Sequence, residues 1–192
     1  AQQKITDARV KFEPGDAQML ALPSTSRDVV VSALVLNFIP DRFKALLEMK
    51  RVCADDGVVG FYVWDYPGGG IEFLRAFWNA AVSLDPNASE FTEGTRFPFC
   101  TQKGLIDLVN ASGLSVIRCE AIEVPTVFQD FDDYWHPFTL GAGPAPGYCI
   151  SQQFFILCAF FDSYKSLFLR ISHFSIQSPC YQPILIFECI VD

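Results

Sequence analysis

Short apolar runs alternate along this chain with longer segments whose apolar residues recur every three or four positions. That is the pattern of buried strands alternating with amphipathic helices. Val10-Lys11-Phe12 reads as a short strand, stopped by the turn pair Pro14-Gly15. Asp28 to Val35 is nearly continuous apolar, as expected of a strand covered on both faces. Pro40-Asp41 opens a helix with Asp41 as its N-cap, and Phe43, Leu46, Met49 and Cys53 recur at helical spacing as its packing face. Gly57 follows at a position suited to a backbone with positive φ. Val58 to Val63 is then the next strand. A chain alternating in this way builds an open, mostly parallel α/β sheet, and ligands of such sheets sit outside the carboxyl ends of the strands.

Further along, Leu74, Phe77, Trp78 and Ala81 mark a helix in which Trp78 reads as core. Asp85 to Cys100 is a polar connection carrying Phe91, Phe97 and Phe99, the composition of a substrate lid. Thr101 caps a helix packed through Leu105, Leu108 and Val109 and closed by Gly113. Ser115 to Val124 alternates like a strand with one wetter face, limited by Pro125. Asp130 caps a short helix running to His136. Gly141 to Gly147 reads as a Gly/Pro linker.

Composition changes abruptly near Ile150. The last 42 residues contain no glycine and five charged residues, Asp162, Lys165, Arg170, Glu188 and Asp192. Phe154–Phe161 and Ile184–Val191 are apolar runs with no clean helix or strand period. The expected organisation is therefore one domain over 1–150 and an atypical hydrophobic tail over 151–192. A shifted reading frame, a retained intron or an alternative exon would produce such a tail; a divergent but selected segment is the rival reading.

Charge and chemistry narrow the function. A net charge of −8 argues against nucleic acid, whose binding relies on neutralising phosphates. No apolar run approaches the ~20 residues of a membrane-spanning helix, and the N-terminus lacks the order of a secretory signal. The seven cysteines are irregularly spaced without C-x-x-C, and read as reduced thiols of a cytoplasmic protein. His136 beside Asp132 and Asp133 lacks convergent ligand spacing, so no metal is expected. Gly68-Gly69-Gly70 has neither phosphate-loop form and reads as a hinge or helix entrance.

In order and spacing, G-D-A-Q at 15–18, D-V-V-V-S-A-L-V-L-N-F-I-P-D at 28–41, the helix ending at Gly57 and V-W-D-Y at 63–66 resemble a class I S-adenosylmethionine-dependent methyltransferase of the methyltransferase type 11 family. The resemblance covers about 1–150 and implies a Rossmann-like sheet flanked by helices. It places Asp16, Ala17 and Gln18 beside the adenine, and Ser32, Ala33, Leu34 and Asn37 along the methionine half of the cofactor. From the residues alone, the alternatives are a turn cap for Asp16, with the flanking pattern favouring the cofactor role, and a plain helix-approach residue for Asn37. Trp64, Asp65 and Tyr66 are candidates for the acceptor pocket; core aromatics and a turn aspartate are the alternatives. No catalytic residue is assigned, since methyl transfer rests on positioning and water exclusion.

The family's glycine-rich loop and ribose-binding acid have no counterpart. With no initiating Met and Ala1-Gln2-Gln3-Lys4 resembling a helix end, an N-terminally truncated fragment lacking the first two strands is expected. The expected parent is a methyltransferase acting on a small molecule, and this chain should bind S-adenosylmethionine poorly or not at all. A non-catalytic methyltransferase-like remnant or interaction module is the alternative. Oligomeric state is open.

Overall fold

The computed structural model describes residues 5, 7–68, 70–140, 143–151 and 180–191. The helix end expected at Ala1–Lys4 and the apolar run Phe154–Phe161 lie outside them. Strand β1 (Arg27–Ala33) leads through a 3-10 turn (Leu36–Phe38) into helix α1 (Arg42–Val52), which runs directly into strand β2 (Cys53–Trp64). Helix α2 (Glu72–Leu84), a 3-10 segment (Pro86–Phe91) and the short helix α3 (Glu93–Arg96) follow. Then come α4 (Gln102–Ala111), β3 (Ser115–Thr126), α5 (Phe131–Trp135), α6 (Pro144–Ser151) and β4 (Cys180–Ile190).

The four strands form one mixed sheet in the order β1-β2-β4-β3. β1 and β2 are parallel, Val30 opposite Val59 and Ala33 opposite Tyr62. A parallel pair needs a crossover connection, and the 3-10 turn and α1 supply it. β4 inserts antiparallel to both β2 and β3, pairing Phe61 with Phe187 and Cys119 with Phe187. Pro125 sits near the end of β3, an edge strand, where a missing N–H is tolerated. An α/β sheet flanked by helices is the expected architecture, but the sheet is mixed and not mostly parallel: β4 comes in antiparallel to both its neighbours, leaving β1–β2 as the parallel pair among the described residues.

The main core lies between the sheet and helices α1 and α4. Val59, Phe61 and Val63 from β2 and Leu185, Phe187 and Cys189 from β4 meet Leu46 and Met49 of α1 and Leu105 and Val109 of α4. Both helices are capped as expected: Asp41 accepts from Lys44 N–H at 2.9 Å and Thr101 Oγ1 from Gly104 N–H at 3.0 Å. Gly113 takes φ +72 after α4, the left-handed stop that favours glycine. A second, aromatic cluster gathers Phe77, Trp78, Phe131, Tyr134, Trp135, Phe138 and Tyr148 from α2, α5, α6 and the turn between the last two.

Several expectations are corrected. Val10–Phe12 is not a strand: all three residues are exposed, and an extended segment with no neighbouring strand among the described residues has no ladder to join. β1 is not covered on both faces: Val29 is 58% and Val31 62% exposed, and among the described residues β1 is bonded to β2 alone. Phe43 is 39% exposed, and Ala45, Leu46, Met49 and Val52 form the packing face of α1 instead. The positive φ after α1 falls on Asp56 (+61), not Gly57. Gly57 is required for space, since a β-carbon there would lie 2.7 Å from Cys53 Sγ and 2.8 Å from the Ala54 carbonyl oxygen. The 141–147 linker gives way to α6 from Pro144 onward, whose buried Ala145, Tyr148 and Cys149 join the aromatic cluster. Finally, Ile184–Val191 is not patternless: most of it is β4, a central strand.

Candidate functional site

The carboxyl ends of β1 and β2 point to the same end of the sheet, because the strands are parallel. The chain leaves β1 through Leu34, whose φ of +54 is left-handed although Leu carries a β-carbon. Its N–H donates to the Tyr62 carbonyl at 2.9 Å, so the sheet holds the turn in place. Left-handed backbone costs a non-glycine residue about 1–2 kcal/mol, and such strain gathers where a chain must present backbone to a ligand. The Leu34→Gly variant should therefore be more stable than Leu34→Ala by about 1 kcal/mol, as urea unfolding will show. Equal stability would mean that the turn is unstrained.

Three residues on, Asn37 is 4% exposed, and neither its side-chain nitrogen nor its oxygen has a hydrogen-bond partner. An unpaired buried amide costs about 1–3 kcal/mol. Native proteins bury few such groups, and those they retain need a reason. Tyr66, at the end of β2, brings its hydroxyl up to the Asn37 side chain without a well-formed hydrogen bond; burial, then nearby Glu93 and Cys100, push that hydroxyl well above the ordinary range, and the Asn37 contact opposes this least of all. Burial also pushes the Cys100 thiol up to about 12. Both groups stay protonated and supply no anionic nucleophile.

The Asp16–Gln18 turn lies against the start of α1. Asp16 Oδ1 accepts from Gln18 N–H at 2.9 Å and from Gln18 Nε2 at 3.2 Å, while Gln18 Oε1 accepts from Asp41 N–H at 3.0 Å. Ala17 packs on the main core. Downstream, Glu48 Oε2 accepts from Leu20 N–H at 2.8 Å, and Arg51 donates to the Leu20 and Leu22 carbonyls, each at 2.9 Å. The Arg51 guanidinium beside Glu48 holds its carboxyl down at about 2, so the clamp stays ionised at ordinary pH. The structure thus ties the Asp16–Gln18 turn to the helix that follows Asn37, with Asp16 exposed and engaged as a turn cap. Ser32 and Ala33 are the last residues of β1, and Leu34 follows them.

At the end of β2, Trp64, Asp65 and Tyr66 separate in role. Trp64 stays in the sheet, opposite Ile184. Asp65 Oδ1 accepts from Gly68 N–H at 2.8 Å, closing the turn in which Gly70 takes φ +65 before α2; the glycine run is a helix entrance. Tyr66 faces a cavity of about 300 Å³ with Ile71, Leu74 and Trp78 of the α2 segment and Glu93 of α3. Phe97, from the connection expected to be a lid, stacks on Tyr66 at 5.3 Å and meets Phe38 edge-on at 5.2 Å, so one ring spans both strand exits. Nearby, the Arg42 guanidinium lies 3.6 Å over the Phe99 ring.

Sequence alone gives no sign of Glu93 and reads Trp78 as core. Trp78 is buried, yet its indole N–H also donates to Glu93 Oε2 at 2.7 Å. Nothing in T-E-G marks Glu93 except its place in an aromatic-bearing connection. Among the described residues no helix is long and apolar enough to cross a membrane.

Residues 1–61 match a methyltransferase domain family. No curated protein sequence matches the chain. Among solved structures, an Anabaena variabilis protein assigned as a methyltransferase from an antibiotic biosynthesis pathway is similar at TM-score 0.55 and 18% identity, over 97% of this chain and 76% of that one. A Bacillus halodurans protein assigned as a methyltransferase gives 0.54 and 10%, over 94% and 76%. The [4+2]-cyclase SpnF gives 0.50 and 15%, over 98% of this chain and 59% of its own. At such identities the likeness speaks for fold alone, and SpnF shows that this fold is compatible with another chemistry. The chain shares the fold of these methyltransferase structures, and residues 1–61 match the methyltransferase-domain family model.

Proposed function

We propose that this domain is an S-adenosylmethionine-dependent methyltransferase acting on a small-molecule acceptor. The observation that carries the reading is Asn37, a buried amide at the carboxyl end of β1 that makes no well-formed hydrogen bond. A protein keeps such a group at a cost to stability, and a polar ligand arriving there would satisfy it. The strained Leu34 turn lies three residues before it and the Asp16–Gln18 turn is hydrogen-bonded to Asp41 four residues after it, which supports reading these residues as the edge of a site for a nucleoside and its amino-acid extension. When bound, the cofactor supplies a methyl group activated on a sulfonium. The chain's own task is to orient the two partners and exclude water, which the Phe38–Phe97–Tyr66 stack over both strand ends is built to do.

Asp16 is already occupied within its turn, and the grip on the cofactor rests on Asn37 and backbone groups, so weak binding is the expectation. Saturation-transfer NMR, which registers weak ligands, should detect S-adenosylhomocysteine on the wild-type chain and lose it in Asn37→Leu. No signal at millimolar ligand would favour the alternative, a methyltransferase-like module without cofactor. The acceptor is assigned to the cavity beside Tyr66, the concave space at the end of β2.

A further inference from the structure

We propose that the cavity beside Tyr66 binds a protonated amine, held between the Glu93 carboxylate and the rings of Tyr66 and Trp78. This rests on the reading of the cavity as the acceptor site and adds that the acceptor carries a cationic amine as its binding handle, the ammonium nitrogen itself having no lone pair with which to take a methyl group. The cavity, at about 300 Å³, is large enough for a small ligand. Ile71 and Leu74 give it an apolar side and Tyr66 and Trp78 an aromatic one. Aromatic faces attract cations through their quadrupole, Trp most strongly.

Glu93 is the carboxylate in this lining. The Trp78 indole N–H bonds one of its oxygens at 2.7 Å and fixes the group in place. A carboxylate offers about four acceptor sites, so one donor leaves capacity for an ammonium. Burial raises the Glu93 carboxyl above its usual range, and Arg96 offsets this only in part. Arg75 also lines the cavity, but its guanidinium lies 3.8 Å from Glu72 with its side chain more than half exposed, at the rim. The lining thus sets a carboxyl group, fixed beside Trp78, apart from a half-exposed guanidinium already close to Glu72. An anion seated against Trp78 would face Glu93 across a desolvated gap. A neutral guest would leave the carboxylate uncompensated. A primary or secondary ammonium answers both, since it carries the charge and the N–H donors.

The test compares probes of one shape and different charge on the wild-type chain. Benzylamine, benzyl alcohol and benzoate are titrated by calorimetry at neutral pH, without cofactor. Benzylamine should bind about tenfold or more tightly than benzyl alcohol, as a charge-assisted bond with cation–π contact supplies, and benzoate should not bind. In Glu93→Gln the amine preference should collapse to about equality. Alcohol binding as tightly as the amine, no binding by either, or a preference that survives in Glu93→Gln would overturn the proposal. The wild-type comparison needs no variant, so it stands even where Glu93→Gln fails to fold. The methyltransferase reading fails separately, through S-adenosylhomocysteine, so amine discrimination without a cofactor signal would tell the two failures apart.

Discussion

Replacing Phe187 by alanine is expected to lower the free energy of unfolding by about 3–5 kcal/mol, and a domain of this size holds only about 5–15 kcal/mol in total. Phe187 is 1% exposed and stacks on Phe61 at 4.7 Å with the rings 4° apart. The two residues are direct partners in the β2–β4 ladder, in the middle of the sheet. Removing one ring leaves a void that Val59, Val63 and Leu185 cannot close without shifting the strands they belong to. Glu188→Ala is the control. Glu188 points to the other face, opposite Gly60 and Arg118, and its replacement should change stability by about 0.5 kcal/mol or less. Urea unfolding followed by circular dichroism reads both. A Phe187→Ala loss below about 1 kcal/mol would mean that β4 is not a core strand. The expected result makes residues 180–191 an integral part of the domain, and therefore favours a selected tail over a frame-shifted or intronic one.

The same strand shows what the sequence conceals. In β4, Leu185, Phe187, Cys189 and then Val191 face the main core, while Ile184, Ile186 and Ile190 lie on the other face, half-buried. A central strand flanked on both sides has apolar residues on both faces, so the two-residue period is erased and the run looks patternless. Helices were legible for the opposite reason. Asp41, Thr101 and Asp130 each announce a start through a local hydrogen bond that depends on nothing distant. β1 misled because its apolar run is that of a buried strand, while among the described residues no strand pairs with its outer edge, the one away from β2. The site divides along the same line. The turns at Asp16 and Asp65 are local and readable as turns. The encounter of Tyr66 with Phe97, or of Trp78 with Glu93, joins residues 31 and 15 positions apart through tertiary packing, and no spacing rule records it.

Asn37→Leu is expected to raise the stability of the chain while abolishing its affinity for S-adenosylhomocysteine. Leucine is close to asparagine in shape and has no polar atoms to leave unpaired. Burying it where neither amide atom now finds a partner should return about 1–3 kcal/mol, seen as a higher urea midpoint with an unchanged slope. Most substitutions of a fully buried residue destabilise, so a gain here would be diagnostic of a group retained for something other than folding. Asn37→Asp supplies the contrast: it keeps the shape but buries a charge beside Tyr66, whose own environment already disfavours anions, and should destabilise. A loss of stability in Asn37→Leu would instead show that the amide is satisfied, by ordered water or by movement of the Tyr66 side chain. The residue would then be structural, and the cofactor reading would lose its main support. A gain in stability with the ligand signal intact would leave Asn37 without a role at the site, and would move attention to the backbone of the Leu34 turn as the remaining contact.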